Sequence, residues 1–529
     1  MVTPQSNSAA DWQAPYPGTH EMPQWNTGEL PPAPTFTWRH IPALIGPGLI
    51  MGAAAVGGGE WLTGPMVSAQ YGGAMLWLAT LSVLGQVIYN IEICRYTLYC
   101  GEPIFTGKFR TLPGPMFWLI LYLILDIGSF LPYLCSTAAV PFLAMFWGRL
   151  PNVQEDEWIL RAVGVGLLFL SLSPLIFGGK VYSSLKYIMV TKLIIVIGFL
   201  LFLAIGFSTW DTWREILSGF FGFGTLPFKP AVEGEPAQLL NAPWMLLQGQ
   251  SLPPIDLSMI GVITAMAAIA GNGGLTNAPI SNYTRDQGWG MGKLVGAIPS
   301  IVGGHSIQLS HVGMVFRVTK DSLKRWTGWM NHMQREQFFV WLPACFMGIA
   351  LPSMLSIQFL PRGTKIADKW LAAGMTADGV AAAVGTYLGP LFWHLTLFCG
   401  FIVLISAALT TADGALRRWV DVCWTASPKL RTWDTHWIGK LFFGALCVYA
   451  LTAIFFLLFV DGGSLIIWTT NLYNYALGVS CLHVLFVNAI LLPKEIRPSL
   501  WRMVALFMAG CFFLFIATLT LLNTLKVIA

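Results

Sequence analysis

Long apolar runs separated by short polar stretches divide this chain. A helix crosses the hydrocarbon core of a membrane with about 20 apolar residues. Eleven segments have that character: 41–71, 74–98, 116–147, 157–178, 184–207, 256–284, 336–359, 389–416, 437–460, 463–492 and 499–523. The pattern predicts an all-α polytopic membrane protein. Composition points the same way. Of 529 residues, 55% are hydrophobic and 10% are charged, where a soluble domain carries about 25% charged residues. Mean hydropathy is +0.64. No polar or Pro/Gly-rich stretch cuts the chain into compact pieces, which argues against a soluble multidomain enzyme and against disorder.

Charge sets the expected orientation. With the N-terminus inside, the tail and alternate linkers, with their adjoining helix ends, hold most of the 30 Lys and Arg, as the positive-inside rule requires. This places the N-terminus in the cytoplasm and the C-terminus on the opposite side, with the plasma (inner) membrane as the expected location. Residues 1–37 contain seven prolines and no Lys or Arg. They lack the basic start and apolar stretch of a signal peptide and read as a flexible cytoplasmic tail before a transporter domain at 38–529. Trp12 and Trp25 within it are side chains able to dock on the body. The segment 285–335 is basic, with Arg285, Lys293, Arg317, Lys320, Lys324, Arg325 and Arg335 beside Trp326 and Trp329. Part of it reads as an amphipathic helix on the membrane surface. His305 and His311 within it have no cysteine or carboxylate nearby to complete a zinc pattern. The nine cysteines are scattered, form no CxxC and read as small packing residues.

Two spans carry an interruption at matching places. Span 1 contains Gly57-Gly58-Gly59-Glu60-Trp61-Leu62-Thr63-Gly64-Pro65. Span 6 contains Gly271-Asn272-Gly273-Gly274-Leu275-Thr276-Asn277-Ala278-Pro279. Each glycine weakens a helix by about 1 kcal/mol relative to alanine, so a cluster favours local unwinding. Unwound backbone at membrane depth survives only where protein or a cavity covers it. A matched pair of Gly/Pro-interrupted spans marks a transporter binding site. Spans 1 and 6 are five apart, which fits a five-plus-five inverted repeat (about 41–207 and 256–492) with one extra helix at 499–523. The same glycines also suit close helix packing.

The polar groups within the spans supply candidate chemistry. Glu60 stands at the first break, where a mid-membrane carboxylate needs water or a partner, and it begins the second half-helix, where the dipole favours negative charge. It reads as a cation ligand or a proton carrier. Asn272, Thr276 and Asn277, with the freed carbonyls of Ala270 and Gly271, offer oxygens suited to hard cations. Gly57, Gly58, Gly59 and Gly273 complete the expected binding region, with Glu60 and Asn272 as the metal-ligand candidates. Asp126, Glu92 and His394 are proton-relay candidates, although Arg95 lies one turn from Glu92 and suits a pair. Asp413 and Arg417 have salt-bridge spacing. Thr469, Thr470, Asn471 and Asn474 form a polar stretch in span 10, of which Thr470, Asn471 and Asn474 are pathway candidates. No GxxxxGK[ST] supports nucleotide binding, no basic run interleaved with aromatics supports nucleic-acid binding, and no GxSxG or HExxH supports enzyme chemistry. No cofactor is expected.

The opening Gly46-Pro47-Gly48 of span 1, the spacing of the spans, the form of spans 2 and 3 and the eleven-helix plan resemble the Nramp metal transporters over roughly 38–523. The resemblance implies the leucine-transporter fold, with spans 1–5 and 6–10 as the inverted repeat. The family's DPGN motif falls on Gly57, Gly58, Gly59 and Glu60, so glycine replaces the metal-binding aspartate and Glu60 replaces the asparagine. Its MPH motif falls near Gly271-Asn272-Gly273, which leaves no thioether; Met266 is a turn away. A soft thioether helps select transition metals, and its loss parallels the family's magnesium-transporting relatives. The leading expectation is a secondary active transporter of a hard divalent cation such as Mg²⁺, with Glu60 as the main ligand. The alternatives are a carrier of a small organic solute such as an amino acid, and a non-transporting sensor or scaffold.

Overall fold

A computed structural model of the protein describes residues 12–35, 57–177, 181–230, 235–295, 312–364, 368–433 and 436–528. Eight of its helical segments are long and apolar enough to cross a membrane. They are α2 (Trp77–Cys100), the pair α4 (Pro115–Leu125) and α5 (Tyr133–Trp147), α6 (Val153–Phe177), α12 (Leu342–Phe359) with the helix that runs into it, α13 (Gly389–Ala426), α14 (His436–Phe459), α15 (Gly462–Leu491) and α16 (Leu500–Thr524). The other three expected spans are α7 (Val181–Phe207), span 1, of which only the second half is described, and span 6, which is broken. Span 1 is described from Gly57 on, as α1 (Gly58–Tyr71). Its first half, with Gly46-Pro47-Gly48, lies outside the described residues, as do His305 and His311. Span 6 is α9 (Ile260–Ile269), an irregular stretch with a short 3₁₀ turn, and α10 (Ile280–Asp286).

The helices carry apolar side chains on both faces because both faces need cover. Inner faces build one core that runs from Trp61 and Leu62 through Trp341 to Phe513. Outer faces leave Phe169, Leu201, Leu451, Phe455 and Phe515 exposed, as a bilayer demands. Small residues allow close crossings. A Cβ on Gly478 of α15 would meet Leu514 of α16 at 2.7 Å, the kind of approach that packs helices in lipid.

Three features depart from the sequence expectation. Span 3 is also broken: a 3₁₀ turn at Asp126–Phe130, followed by Leu131 and Pro132, separates α4 from α5. The amphipathic helix α11 (Lys320–Glu336), capped by Thr319, does not stop at the surface. It continues through a wider turn at Gln337–Trp341 into α12. Finally, the tail expected to be flexible is packed over 12–35 as a strap across this face. Its strand β1 (Asn26–Thr27) pairs in parallel with β4 (Met314–Val315). Trp25 is buried against Tyr99 and under the Arg110 guanidinium. The main chain at Leu30 and Pro31 accepts hydrogen bonds from Arg325 and Trp329 of α11. Buried aromatic area, together with backbone pairing, holds a proline-rich stretch that composition alone leaves free. At the opposite end of α2, helix α8 (Trp210–Phe220) and the hairpin β2 (Thr225–Phe228)–β3 (Gln238–Asn241) sit over the end of α1. There Glu215 pairs with Arg362 at 2.6 Å.

Candidate functional site

The two interruptions face each other. Gly57 is extended and α1 starts at Gly58, so Glu60 falls in the first turn. There its carboxylate does what a capping carboxylate does and takes an orphan amide at the helix start: Gly57 N donates to Oε2 at 3.2 Å. Oε1 accepts from Gly271 N of the second break at 3.3 Å. One buried carboxylate, 3% exposed, therefore bridges both breaks. The glycines permit this approach. A Cβ on Gly59 would meet Ile269 Cδ1 at 2.4 Å and Cβ at 2.8 Å. Gly271 has φ +96°, a conformation that L side chains rarely adopt. The close-packing and unwinding roles of the glycines coexist at one place.

Span 2 replaces the hydrogen bonds that the second break gives up. Gln86 Nε2 donates to Ala270 O at 2.8 Å, and its Oε1 accepts from Asn272 N at 3.0 Å and Asn277 Nδ2 at 2.8 Å. Ser82 Oγ donates to Ala267 O at 2.6 Å. Buried backbone must find such partners where no water reaches it. Thr276 Oγ1 turns back to Gly273 O. Asn277 Oδ1 is buried and accepts no hydrogen bond among the described residues, which leaves one acceptor at the junction for an incoming donor or cation.

Other groups converge on Glu60. Lys192 of α7, 1% exposed, lies within electrostatic range of the carboxylate. Tyr133 of α5 and Cys345 of α12 do as well. Among the described residues no three His, Cys, Asp or Glu side chains cluster so that they could hold a metal ion. An ion at the junction would take one carboxylate and otherwise neutral oxygens.

The remaining candidates take separate places. Asp126, at the break of span 3, receives Arg418 Nε at 2.9 Å and Nη2 at 2.6 Å, Trp419 Nε1 at 2.8 Å and Ser129 Oγ at 2.7 Å. Glu92 pairs with Arg95 at 2.7 Å, as the spacing predicts, and also takes Asn488 Nδ2 at 3.1 Å and Arg502 at 3.5 Å. Asp413 and Arg417 pair at 2.8 Å. His394 is exposed near the start of α13 and bonds Pro390 O. In span 10, Thr470 bonds back to Ile466 O, Asn474 Nδ2 reaches Thr264 O of α9 at 3.2 Å, and the oxygens Asn471 Oδ1, Asn474 Oδ1 and Thr469 Oγ1 are buried without partners among the described residues. Tyr473 lies between them, on the two glycines of the second break: a Cβ on Gly273 or Gly274 would meet its ring at 2.5 or 2.6 Å.

Sequence reasoning passed over Gln86, Ser82 and Lys192. A glutamine and a serine one turn apart inside an apolar helix were the available signal. Lys192 reads in sequence as one of the basic residues flanking a linker, because it stands only a few positions into its span.

No protein-family model and no curated protein sequence matches the chain. Solved structures do match. A mutant of the manganese transporter of Eremococcus coleocola superposes with a TM-score of 0.61 at 11% identity, over 94% of this chain and 89% of that one. The same transporter in complex with an aromatic bis-isothiourea substituted compound gives 0.57 at 12% identity over the same shares. Mhp1, a nucleobase-cation-symport-1 family transporter with bromovinylhydantoin bound, gives 0.44 at 12% identity over 92% and 93%. At such identities the likeness is one of fold. This is an integral membrane protein with the leucine-transporter fold of Nramp-type transporters, in which the start of α1 and the break of span 6 meet at Glu60.

Proposed function

We propose that this chain is a secondary active transporter that takes its cargo where the two breaks meet. The observation that carries this reading is the Glu60 carboxylate, buried and hydrogen-bonded to one amide from each break. A rearrangement of either half-helix changes the surroundings of that charge, as alternating access requires. The cargo in this reading is a hard divalent cation such as Mg²⁺, held by Glu60 and Asn272 with help from Asn277, Thr276 and the carbonyls of Gly57–Gly59, Ala270, Gly271 and Gly273. The ligand groups named are all oxygen donors. Mg²⁺ keeps several of its waters, so one carboxylate with neutral oxygens suffices. The fold neighbour is named for manganese, and the missing thioether at the break separates this chain from a site that selects soft metals. Thr470, Asn471 and Asn474 border the pathway, and the strap face with the N-terminus is cytoplasmic.

Lys192 favours a second reading. With an ammonium in range of Glu60, the junction offers both signs, as a small zwitterion such as an amino acid needs. Uptake into proteoliposomes separates the two, with Mg²⁺ and Mn²⁺ run in parallel and amino acids run beside them. Saturable Mg²⁺ uptake that falls roughly 100-fold in Glu60→Gln, about 3 kcal/mol of lost cargo binding, supports the cation reading. No uptake of either ion by folded protein sinks it, and amino-acid uptake in its place supports the second.

A further inference from the structure

The short helix α3 (Ile104–Phe109) between spans 2 and 3 is buried along its whole length, and it carries a lysine the transport site does not use. Six basic side chains are buried among the described residues: Arg95, Lys108, Arg110, Lys192, Arg285 and Arg418. Arg95 faces Glu92, Arg110 faces Glu102, Arg285 faces Asp286, Arg418 faces Asp126, and Lys192 is in range of Glu60. Lys108, 0% exposed, has no carboxylate within ion-pair distance among the described residues. A buried charge without such a partner is costly.

Neutral groups surround it instead. Lys108 Nζ donates to Ser480 Oγ of α15 at 2.5 Å, and it lies 4.2 Å from the Tyr122 ring centroid and 4.8 Å from that of Phe105. Ser480 also shares a hydrogen bond with Tyr89 OH of α2. Tyr122 OH of α4 meets His483 Nδ1 at 2.9 Å, and His483 Nε2 meets Thr111 Oγ1 at 2.8 Å. The titratable and charged groups facing Lys108 are thus Tyr89 from α2, Tyr122 from α4, Cys481 and His483 from α15, and the cation of Arg418 from α13. Burial holds the ammonium down to about 7, and Arg418 adds to the effect.

We propose that Lys108, in its cluster with Ser480, Tyr89, Tyr122 and His483, is a proton-binding site that joins spans 2, 3 and 10 at the strap-side face. The free amine takes a proton on its lone pair, and the ammonium is then held by Ser480 and the Tyr122 ring; no other bond is made or broken. Taking the proton puts a charge with no carboxylate partner into the seam between α3 and α15, within electrostatic range of Arg418 of α13, so the two forms favour different packing there. This rests on the transporter reading, yet it is testable without any cargo.

The test is charge displacement on a solid-supported membrane carrying reconstituted protein, with no cargo present. Wild type stepped from about pH 8 to about pH 6 should displace charge with a midpoint near about 7, well below an exposed lysine. Lys108→Met removes the amine and Lys108→Arg keeps it permanently charged, so each should shrink the displacement at least about fivefold. Ser480→Ala keeps the amine and should shift the midpoint without abolishing the signal. A wild type without displacement overturns the proposal, as does a folded Lys108→Met or Lys108→Arg with undiminished displacement. Should both Lys108 variants fail to fold, an unmoved midpoint in Ser480→Ala overturns it. Failure of Mg²⁺, Mn²⁺ and amino-acid uptake would count against the transporter reading and leave this measurement intact.

Discussion

Asp126 and Glu60 are both buried carboxylates at points where a membrane helix loses its regular backbone, and their partners differ in kind. Asp126 is met by a guanidinium on two sides, an indole N–H and a hydroxyl. Every one of these is a side chain reaching from α13 or from the turn itself, and together they tie span 3 to span 8. Glu60 is met by two backbone amides, one from each break, with Lys192 in range. A carboxylate paired with its own guanidinium holds helices together. One held by amides of unwound backbone sits where the backbone is free to rearrange, and its bonds can pass to a cargo. Removing Arg418 tests the first half of this contrast and gives the largest expected effect. Arg418→Met leaves Asp126 charged, buried and unpaired, a loss of about 3–5 kcal/mol, read as a fall in thermal unfolding midpoint or in folded yield. Adding Asp126→Leu to that variant should restore most of the loss. A single variant as stable as wild type would show that the pair is not a strut.

Next in size is Gln86, which belongs to the Glu60 side of the comparison. It fills the gap that the break in span 6 leaves in the hydrogen-bond ladder, bonding Ala270 O, Asn272 N and Asn277 Nδ2. Gln86→Leu keeps the volume and removes these three bonds together with the one that Gln86 Nε2 donates to Ser82 Oγ. Each buried group left unmet costs about 1–3 kcal/mol, and relaxation of the break should keep the total near about 2–3 kcal/mol. Thermal unfolding checks the stability term. The uptake assay should show a loss larger than stability explains, because the geometry of Gly271 sets one of the two bonds to Glu60. Uptake unchanged in a folded Gln86→Leu would separate the break from the transport site.

These partners also mark what sequence reading reached. The two breaks were legible because glycine clusters inside apolar runs have a direct backbone consequence. Glu60 was legible because a lone mid-span carboxylate demands an explanation. The pairs Glu92–Arg95 and Asp413–Arg417 followed from helical spacing alone. Gln86 and Lys192 were not legible as site residues, because their roles depend on which helix faces which, and no periodicity encodes that. Asp126 looked like Glu60 in sequence for the same reason: Arg418 is 292 residues away. The break in span 3 has only Gly128 and Pro132 to announce it, too weak a signal beside three adjacent glycines. The packed strap was hidden by composition, since seven prolines in 1–37 suggest freedom until Trp25 is seen to enter the core.

The smallest expected change in stability comes from the substitution at the proposed cargo site. Glu60→Gln and Asp126→Asn are the same chemical change, a carboxylate oxygen replaced by an amide nitrogen. At Asp126 the change leaves Arg418 as a buried cation with no counter-charge and turns one acceptor into a donor facing donors, so a loss of about 3 kcal/mol is expected. At Glu60 the remaining carbonyl oxygen still accepts from one break amide, one modest hydrogen bond at 3.2–3.3 Å is lost, and a mid-membrane charge is no longer buried. These terms oppose each other and should leave a net change under about 1 kcal/mol. Lys192 makes the experiment sharper. If its ammonium depends on Glu60 as Arg418 depends on Asp126, Glu60→Gln will destabilise the protein by a similar amount, and Lys192→Met in the same chain will restore it. The expected result is instead a folded, near-wild-type unfolding midpoint with uptake abolished, which would establish Glu60 as the exchangeable member of the two carboxylates.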